Sequence, residues 1–291
     1  MDFSYLAFFL GKGLEISSPI GFAALGGVYS ERGGVVNIAL EGIMQVTALT
    51  LVWGAIVFHS AWLGLLVAII SGVLMGLIHA VVTVTFKVDH VVSGVAINVF
   101  SIGFSRFLCQ NMFGAETNST INPYLFPKWL GINCLAFILL GVAVIAWFVL
   151  YKTVFGLRLR SCGENPEAAD TLGVNVTLMR YAGVLISGAL CGIASATLFA
   201  DKWTQGMVAG RGFIALAAVI FGRWNPLGAV LASLLFGYAD TFRIAFESKI
   251  PIPPQFVQMF PYVLAVVVLA GLAGKSRAPA WDGRNYEKGE D

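Results

Sequence analysis

WLGLLVAIISGVLMGLIHAVVTVTF, residues 62–86, passes from end to end without one Asp, Glu, Lys or Arg. A helix needs about 20 apolar residues, at a rise of about 1.5 Å each, to cross the hydrocarbon core of a bilayer. This stretch has that length, and it is repeated. Residues 3–28, 36–58, 91–110, 132–151, 177–200, 227–246 and 256–274 are further apolar runs separated by polar breaks. The chain has 291 residues, 58% of them hydrophobic and 12% charged, whereas soluble domains carry about 25% charged residues. The expected fold class is an all-α polytopic membrane protein with about eight spanning helices. GFIALAAVIFG, residues 212–222, is apolar but too short to span. It reads as a half-helix, which a membrane protein tolerates where it is buried in protein or lines a cavity.

Loops bearing Arg32, Lys87, Lys152, Arg158, Arg160, Arg223, Lys275, Arg277, Arg284 and Lys288 alternate with loops bearing Lys12, Lys128, Lys202, Arg211 and Lys249. The more basic set is expected on the cytoplasmic side, which puts the N-terminus outside and the C-terminus inside. MDFSYLAFF at the start lacks the basic region of a cleavable signal, so the first segment is expected to be retained. Residues 1–274 read as a single transmembrane domain and residues 275–291 as a short, solvated cytoplasmic tail. The net charge of +2, with no basic cluster interleaved with aromatics, speaks against nucleic acid.

Enzyme chemistry finds little support. Cys109, Cys134, Cys162 and Cys191 form no C-x-x-C pair, and His59, His79 and His90 add no metal-ligand spacing. They read as free buried thiols, and no metal is expected. Gly274-Lys275-Ser276 is the nearest approach to a phosphate-binding loop. Leu269 stands where that loop needs its first glycine, and the preceding residues form a span. The chain is expected to bind no nucleotide of its own. Neither H-E-x-x-H nor G-x-S-x-G occurs, so no catalytic residues are assigned.

GENPEAADTLGVN, residues 163–175, is the polar exception at the centre of the chain. Asn165 suits an N-cap, Pro166 the first helical position, and Glu167 the positive end of the helix dipole. Gly173 suits the terminator. The pattern predicts a helix of about two turns, far too short to stand alone. One reading is a capped loop between spans. The other is a docking helix for a cytoplasmic partner, with Ala168, Ala169 and Leu172 as its apolar face and Glu164, Glu167 and Asp170 on the rim.

Polar residues inside apolar spans are the candidates for a pathway or gate. Asn37 and Glu41 are four apart, the spacing of one helix face, and Gln45 continues it. Ser93 and Asn98 are candidates to face a central cavity, while His90 reads as an interface residue. Asp240 and Arg243, three apart, read as an internal ion pair. Gly72 and Gly76, with Gly183, Ser187 and Cys191, give the small-residue spacing of close helix packing.

GENPEAADTLGVNV followed by SGALCGIASA resembles the cytoplasmic coupling loop of ABC importer permeases, in the branch serving nucleosides, simple sugars and branched-chain amino acids. SERGGVVNIALEG, residues 30–42, and GRGFIALAAVIFGRWNPLG, residues 210–228, are similar to two further blocks of that branch, in the same order. The likeness lies closest to nucleoside permeases. It implies a permease that pairs with a second, different permease subunit in a bacterial cytoplasmic (inner) membrane. It also implies an ATPase subunit that uses ATP and Mg, and an extracytoplasmic substrate-binding protein. The coupling loop, about residues 152–176, would carry that role through Gly163, Glu164, Asn165, Pro166, Glu167, Ala168, Ala169, Asp170 and Gly173. A simple-sugar or branched-chain amino acid permease is the nearest alternative, and an autonomous carrier or channel the alternative from another class.

Overall fold

The computed structural model describes residues 3–198, 201–246, 259, 263, 266, 267 and 277–287. In chain order the helices are α1 (Phe3–Arg32), α2 (Leu40–Val57), α3 (Ala61–Ala80), α4 (His90–Phe113), α5 (Cys134–Lys152), α6 (Val154–Glu164), α7 (Pro166–Thr171), α8 (Val176–Thr197), α9 (Arg211–Phe221) and α10 (Pro226–Phe246). A π-helical turn, Val81–Thr85, prolongs α3. A hairpin of β1 (Lys128–Trp129) and β2 (Ile132–Asn133) turns through Leu130 and Gly131, both at positive φ, as a two-residue hairpin loop requires.

Six helical stretches are long and apolar enough to cross a membrane: Leu40–Val57, Ala61–Thr85, His90–Phe113, Cys134–Lys152, Val176–Thr197 and Pro226–Ala245. The chain is therefore a multi-pass membrane protein. The described residues give six spans and the shorter apolar helix α9, against an expectation of about eight spans. The expected first span lies within α1, which is helical over 30 residues but is not among the six. The expected span over 256–274 lies outside the described residues except for 259, 263, 266 and 267.

Burial sorts the spans. In α2, 78% of the apolar window is buried inside the protein, against 28% in α4. Thus α2 runs through the interior and α4 along the periphery. On α3 the exposed residues Leu63, Leu66, Ile70, Leu74 and Leu77 follow helical spacing and form an apolar outer stripe suited to lipid. Its inner face is made of small residues. A Cβ on Gly72 would collide with the Gly188 carbonyl, and one on Gly188 with the Gly72 carbonyl, so α3 and α8 meet backbone to backbone. The four cysteines are free and buried, and Asp240 pairs with Arg243 at 2.6 Å.

The chain departs from a plain helical span after α1. Residues 33–39 are not helical, and α2 begins only at Leu40. Asn37 therefore precedes the helix, and the face it was expected to share with Glu41 does not form. Nor is the C-terminal segment the solvated end expected of it. Residues 277–287 lie across one end of the bundle, where the Trp281 N–H donates to the Gly163 carbonyl (2.9 Å) and the Gly283 N–H to the Gly34 carbonyl (3.3 Å).

Candidate functional site

A non-helical backbone at membrane depth must find partners for its own N–H and C=O groups. The segment 33–39 finds them in side chains, several of them from distant helices. Ser30 Oγ donates to the Val35 carbonyl (2.6 Å) and Asn98 Nδ2 to the Ile38 carbonyl (2.9 Å). The Val36 N–H donates to His90 Nδ1 (3.3 Å), and His79 Nε2 lies 3.0 Å from the Val36 carbonyl. Asn37 Oδ1 accepts from the Ala39 N–H (3.1 Å) while its Nδ2 donates to Ser187 Oγ (2.9 Å), midway along α8. Ser93 lies 2.9 Å from His79 Nδ1 and steadies that ring. Asn98 Oδ1 also accepts from the Gly42 N–H (2.8 Å), in the first turn of α2. Asn37, Ser93 and Asn98 are thus engaged in holding a re-entrant segment.

Glu41 has a different task. Its Oε1 accepts from the Gly210 N–H (2.8 Å) and its Oε2 from the Gly212 N–H (2.7 Å). No side chain of the residue before α9 caps that helix. A carboxylate from α2 supplies the cap instead, where unpaired N–H groups and the helix dipole favour negative charge. Gly212 permits the approach, since a Cβ there would lie 2.5 Å from the Glu41 nitrogen. α9 has 11 residues, about 16 Å of helix. Its far end meets the end of α1, where Arg32 Nε donates to the Trp224 carbonyl (2.8 Å). The capped end thus lies one helix length in from the end of the bundle where α1 stops. Close by, Gln45 Nε2 reaches Gln205 Oε1 (3.5 Å), which also accepts from Ser105 Oγ (3.3 Å). Glu41 and Gln205 are half-buried, and Phe213 beside them is half exposed.

Sequence reasoning missed Gln205, Ser105 and the two glycine N–H groups. The Gly210-Arg211-Gly212 run ahead of an apolar half-helix was the available signal. It marks a helix start with no capping side chain of its own.

The second zone lies at the end of the bundle that gathers Arg32, Lys87, Arg223 and Arg284. Here the predicted short helix exists. Asn165 Oδ1 accepts from the Ala168 N–H (3.0 Å), Pro166 opens α7, and Gly173 follows it in the left-handed region at φ 80°. α6, which the sequence did not suggest, precedes it and is capped by Thr153, whose Oγ1 accepts from the Gly156 N–H (3.2 Å). Pro166 and Ala169 turn inward, and Ala169 packs with Cys162 and Val176. Burial pushes the Cys162 thiol up to about 11, so it stays a thiol. Ala168 and Leu172 face out, Leu172 being 84% exposed. The expected apolar face is therefore split, with Ala169 gripping the protein's own core. Gly163 is crowded by the Arg32 carbonyl, and Glu164 stands 3.5 Å from Arg32 Nη1. Glu167 is exposed, and Asp170 lines a cavity of about 350 Å³ with Gly173, Val174, Asn175, Val176, Thr177 and Tyr286.

The chain belongs to the family described as branched-chain amino acid transport system / permease component, whose model matches residues 9–269. It is similar to the nucleoside ABC transporter permease protein NupC of Lactococcus lactis subsp. cremoris (strain MG1363), at 42% identity over 94% of this chain and 95% of the relative. The guanosine ABC transporter permease protein NupQ of Bacillus subtilis (strain 168) is 40% identical over 95% of each chain. The putative glucose ABC transporter permease protein TsgC13 of Haloferax volcanii is 32% identical over 92% of each. The first two organisms each contain a second, more distant relative that is also described as an ABC permease for the same solute.

Proposed function

We propose that this chain is the translocating subunit of an ATP-driven ABC importer that carries nucleosides across a bacterial inner membrane. It pairs with a second, different permease subunit, receives substrate from an extracytoplasmic binding protein, and takes its energy from an ATPase subunit docked on α7. ATP and Mg belong to that ATPase. The basic end with α7 and the C-terminal segment is cytoplasmic, and the full chain crosses the membrane about eight times with its N-terminus outside.

The observation that carries this reading is the form of α7. It is capped by Asn165, anchored inward by Pro166 and Ala169, and bare outward at Ala168 and Leu172. Such a helix cannot hold its shape alone, yet its fixed side is tied to α8, which carries Ser187 and through it Asn37. A push on α7 is thus delivered to the helix that supports the re-entrant segment. The chemistry at the start of α9 supports a neutral, polar cargo. The positive end of α9, which would otherwise attract an anion, is occupied by the chain's own Glu41. Beside it the half-buried Gln205, held by Gln45 and Ser105, carries an amide of the kind that base edges and ribose hydroxyls use. The relatives' nucleoside and guanosine names support the same assignment. A simple sugar is the second reading, favoured by the relative described for glucose.

The test is the double substitution Glu167→Lys and Leu172→Asp, both on exposed positions of α7, in the full complex. The expected result is loss of the co-purifying ATPase with unchanged membrane insertion and thermal stability of the permease. Retention of the ATPase at wild-type stoichiometry would overturn the docking role.

A further inference from the structure

The C-terminal segment touches both zones of the site, and nothing in the transport reading requires it. Ala280 N–H donates to Glu164 Oε2 (3.3 Å) and Trp281 N–H to the Gly163 carbonyl (2.9 Å), so it holds the junction of α6 and α7. Two residues on, Gly283 N–H donates to the Gly34 carbonyl (3.3 Å), where the re-entrant segment leaves α1. Asn285 Oδ1 lies 3.2 Å from His90 Nε2, and Asn285 Nδ2 donates to the Lys87 carbonyl (2.6 Å). Glu287 pairs with Lys87.

The histidine makes the connection mechanical. His90 Nδ1 accepts the Val36 N–H, so its proton sits on Nε2 and is donated to Asn285. A continuous run of bonds therefore leads from the end of α6, next to α7, through 280–285 to His90, then to Val36, and onward by Asn98 to the α2 turn that holds Glu41. Physical continuity of this kind is what energetic coupling between distant sites needs.

The strap also crosses a buried cation. Arg180 is 2% exposed, donates from Nη1 to the Arg284 carbonyl (2.9 Å) and interacts electrostatically with the Asp282 carboxyl.

We propose that residues 277–287 are a strap that links the α6–α7 coupling helices to the re-entrant segment, with Asn285 and His90 as its positioning residues, so that displacement of α7 reaches Glu41 and the start of α9. The inference rests on the transport reading above and adds a transmission element to it.

The test uses the full complex in proteoliposomes and reads labelled guanosine transported per ATP hydrolysed. Asn285 is exposed, so Asn285→Ala leaves the fold and the ATPase contact in place. It is expected to keep ATP hydrolysis within about twofold of wild type while lowering guanosine per ATP about tenfold, equivalent to roughly 1.4 kcal/mol from two ordinary hydrogen bonds. In parallel, hydrogen exchange over residues 33–42 is expected to change on ATP addition in wild type and not in Asn285→Ala. An unchanged ratio, or uptake and hydrolysis falling together with the ATP-dependent exchange change preserved, would overturn the strap. A wild-type complex without ATP-driven uptake would instead overturn the transport reading, and the exchange comparison would still decide the strap.

Discussion

Replacing Glu41 by alanine removes both acceptors that close the start of α9. Each is a bond from a glycine N–H to a carboxylate, at 2.8 and 2.7 Å. Hydrogen bonds to charged groups contribute about 1.5–3 kcal/mol each, and a negative charge at a partly buried helix start adds up to about 2 kcal/mol. Burying the carboxylate offsets part of that sum. A net loss of about 2–3 kcal/mol remains, which speeds local opening of α9 by roughly 30–150-fold. The assay is hydrogen–deuterium exchange of the purified complex, read by mass spectrometry over residues 205–222. Glu41→Ala should accelerate exchange in that window by this factor and leave α5 and α10 within twofold of wild type. Glu41→Gln, which keeps one acceptor, should fall between. Exchange in the α9 window unchanged by Glu41→Ala would refute the cap. So would acceleration spread evenly over the whole chain.

Three further outcomes follow from the same contacts. Asn98→Ala removes one donor and one acceptor from the backbone at Ile38 and Gly42 and should destabilise the protein by about 2–4 kcal/mol, seen as a lowered Tm in detergent. Gly188→Val places side-chain atoms on the Gly72 carbonyl and should lower Tm through overpacking of about 1–3 kcal/mol or more, whereas Ala at Gly103, where a Cβ has open space, should not. Burial, with opposing contributions from Arg180 and Arg32, pushes the Asp282 carboxyl up to about 7 from an ordinary 3.8. Docking of the strap beside the buried Glu31 then takes up a proton, so it weakens as pH rises above the ordinary carboxylate range. Exchange of the 280–283 amides, corrected for intrinsic rate, should speed up with that rise in wild type and stay flat in Asp282→Asn.

Local chemistry made parts of this molecule readable. The spans followed from apolar runs whose length only a membrane explains. α7 followed from three residues whose roles are fixed within a few positions: Asn165 as cap, Pro166 at the first turn and Gly173 past the end. Asp240 and Arg243 sit one helical turn apart and pair as their spacing implied. The re-entrant segment was not readable, because Val35, Val36, Ile38 and Ala39 are as apolar as any span. What keeps them out of a helix is a set of partners far along the chain, His79, His90 and Asn98. Glu41 was singled out, but its partners are backbone N–H groups about 170 residues away, which no spacing rule reaches. The C-terminal segment was misread for the same reason. Its polar composition suits solvent, but its backbone pairs with Gly34 and Gly163.

The most direct measurement is uptake of labelled guanosine into proteoliposomes holding this chain, its partner permease, the ATPase and the binding protein, with and without ATP inside the nucleotide-accessible compartment. Excess unlabelled uridine, glucose and leucine serve as competitors. The account predicts uptake that requires ATP, falls with the nucleoside competitor, and is abolished by Glu167→Lys with Leu172→Asp. Guanosine uptake that persists without ATP, or that survives the α7 substitutions, would contradict it.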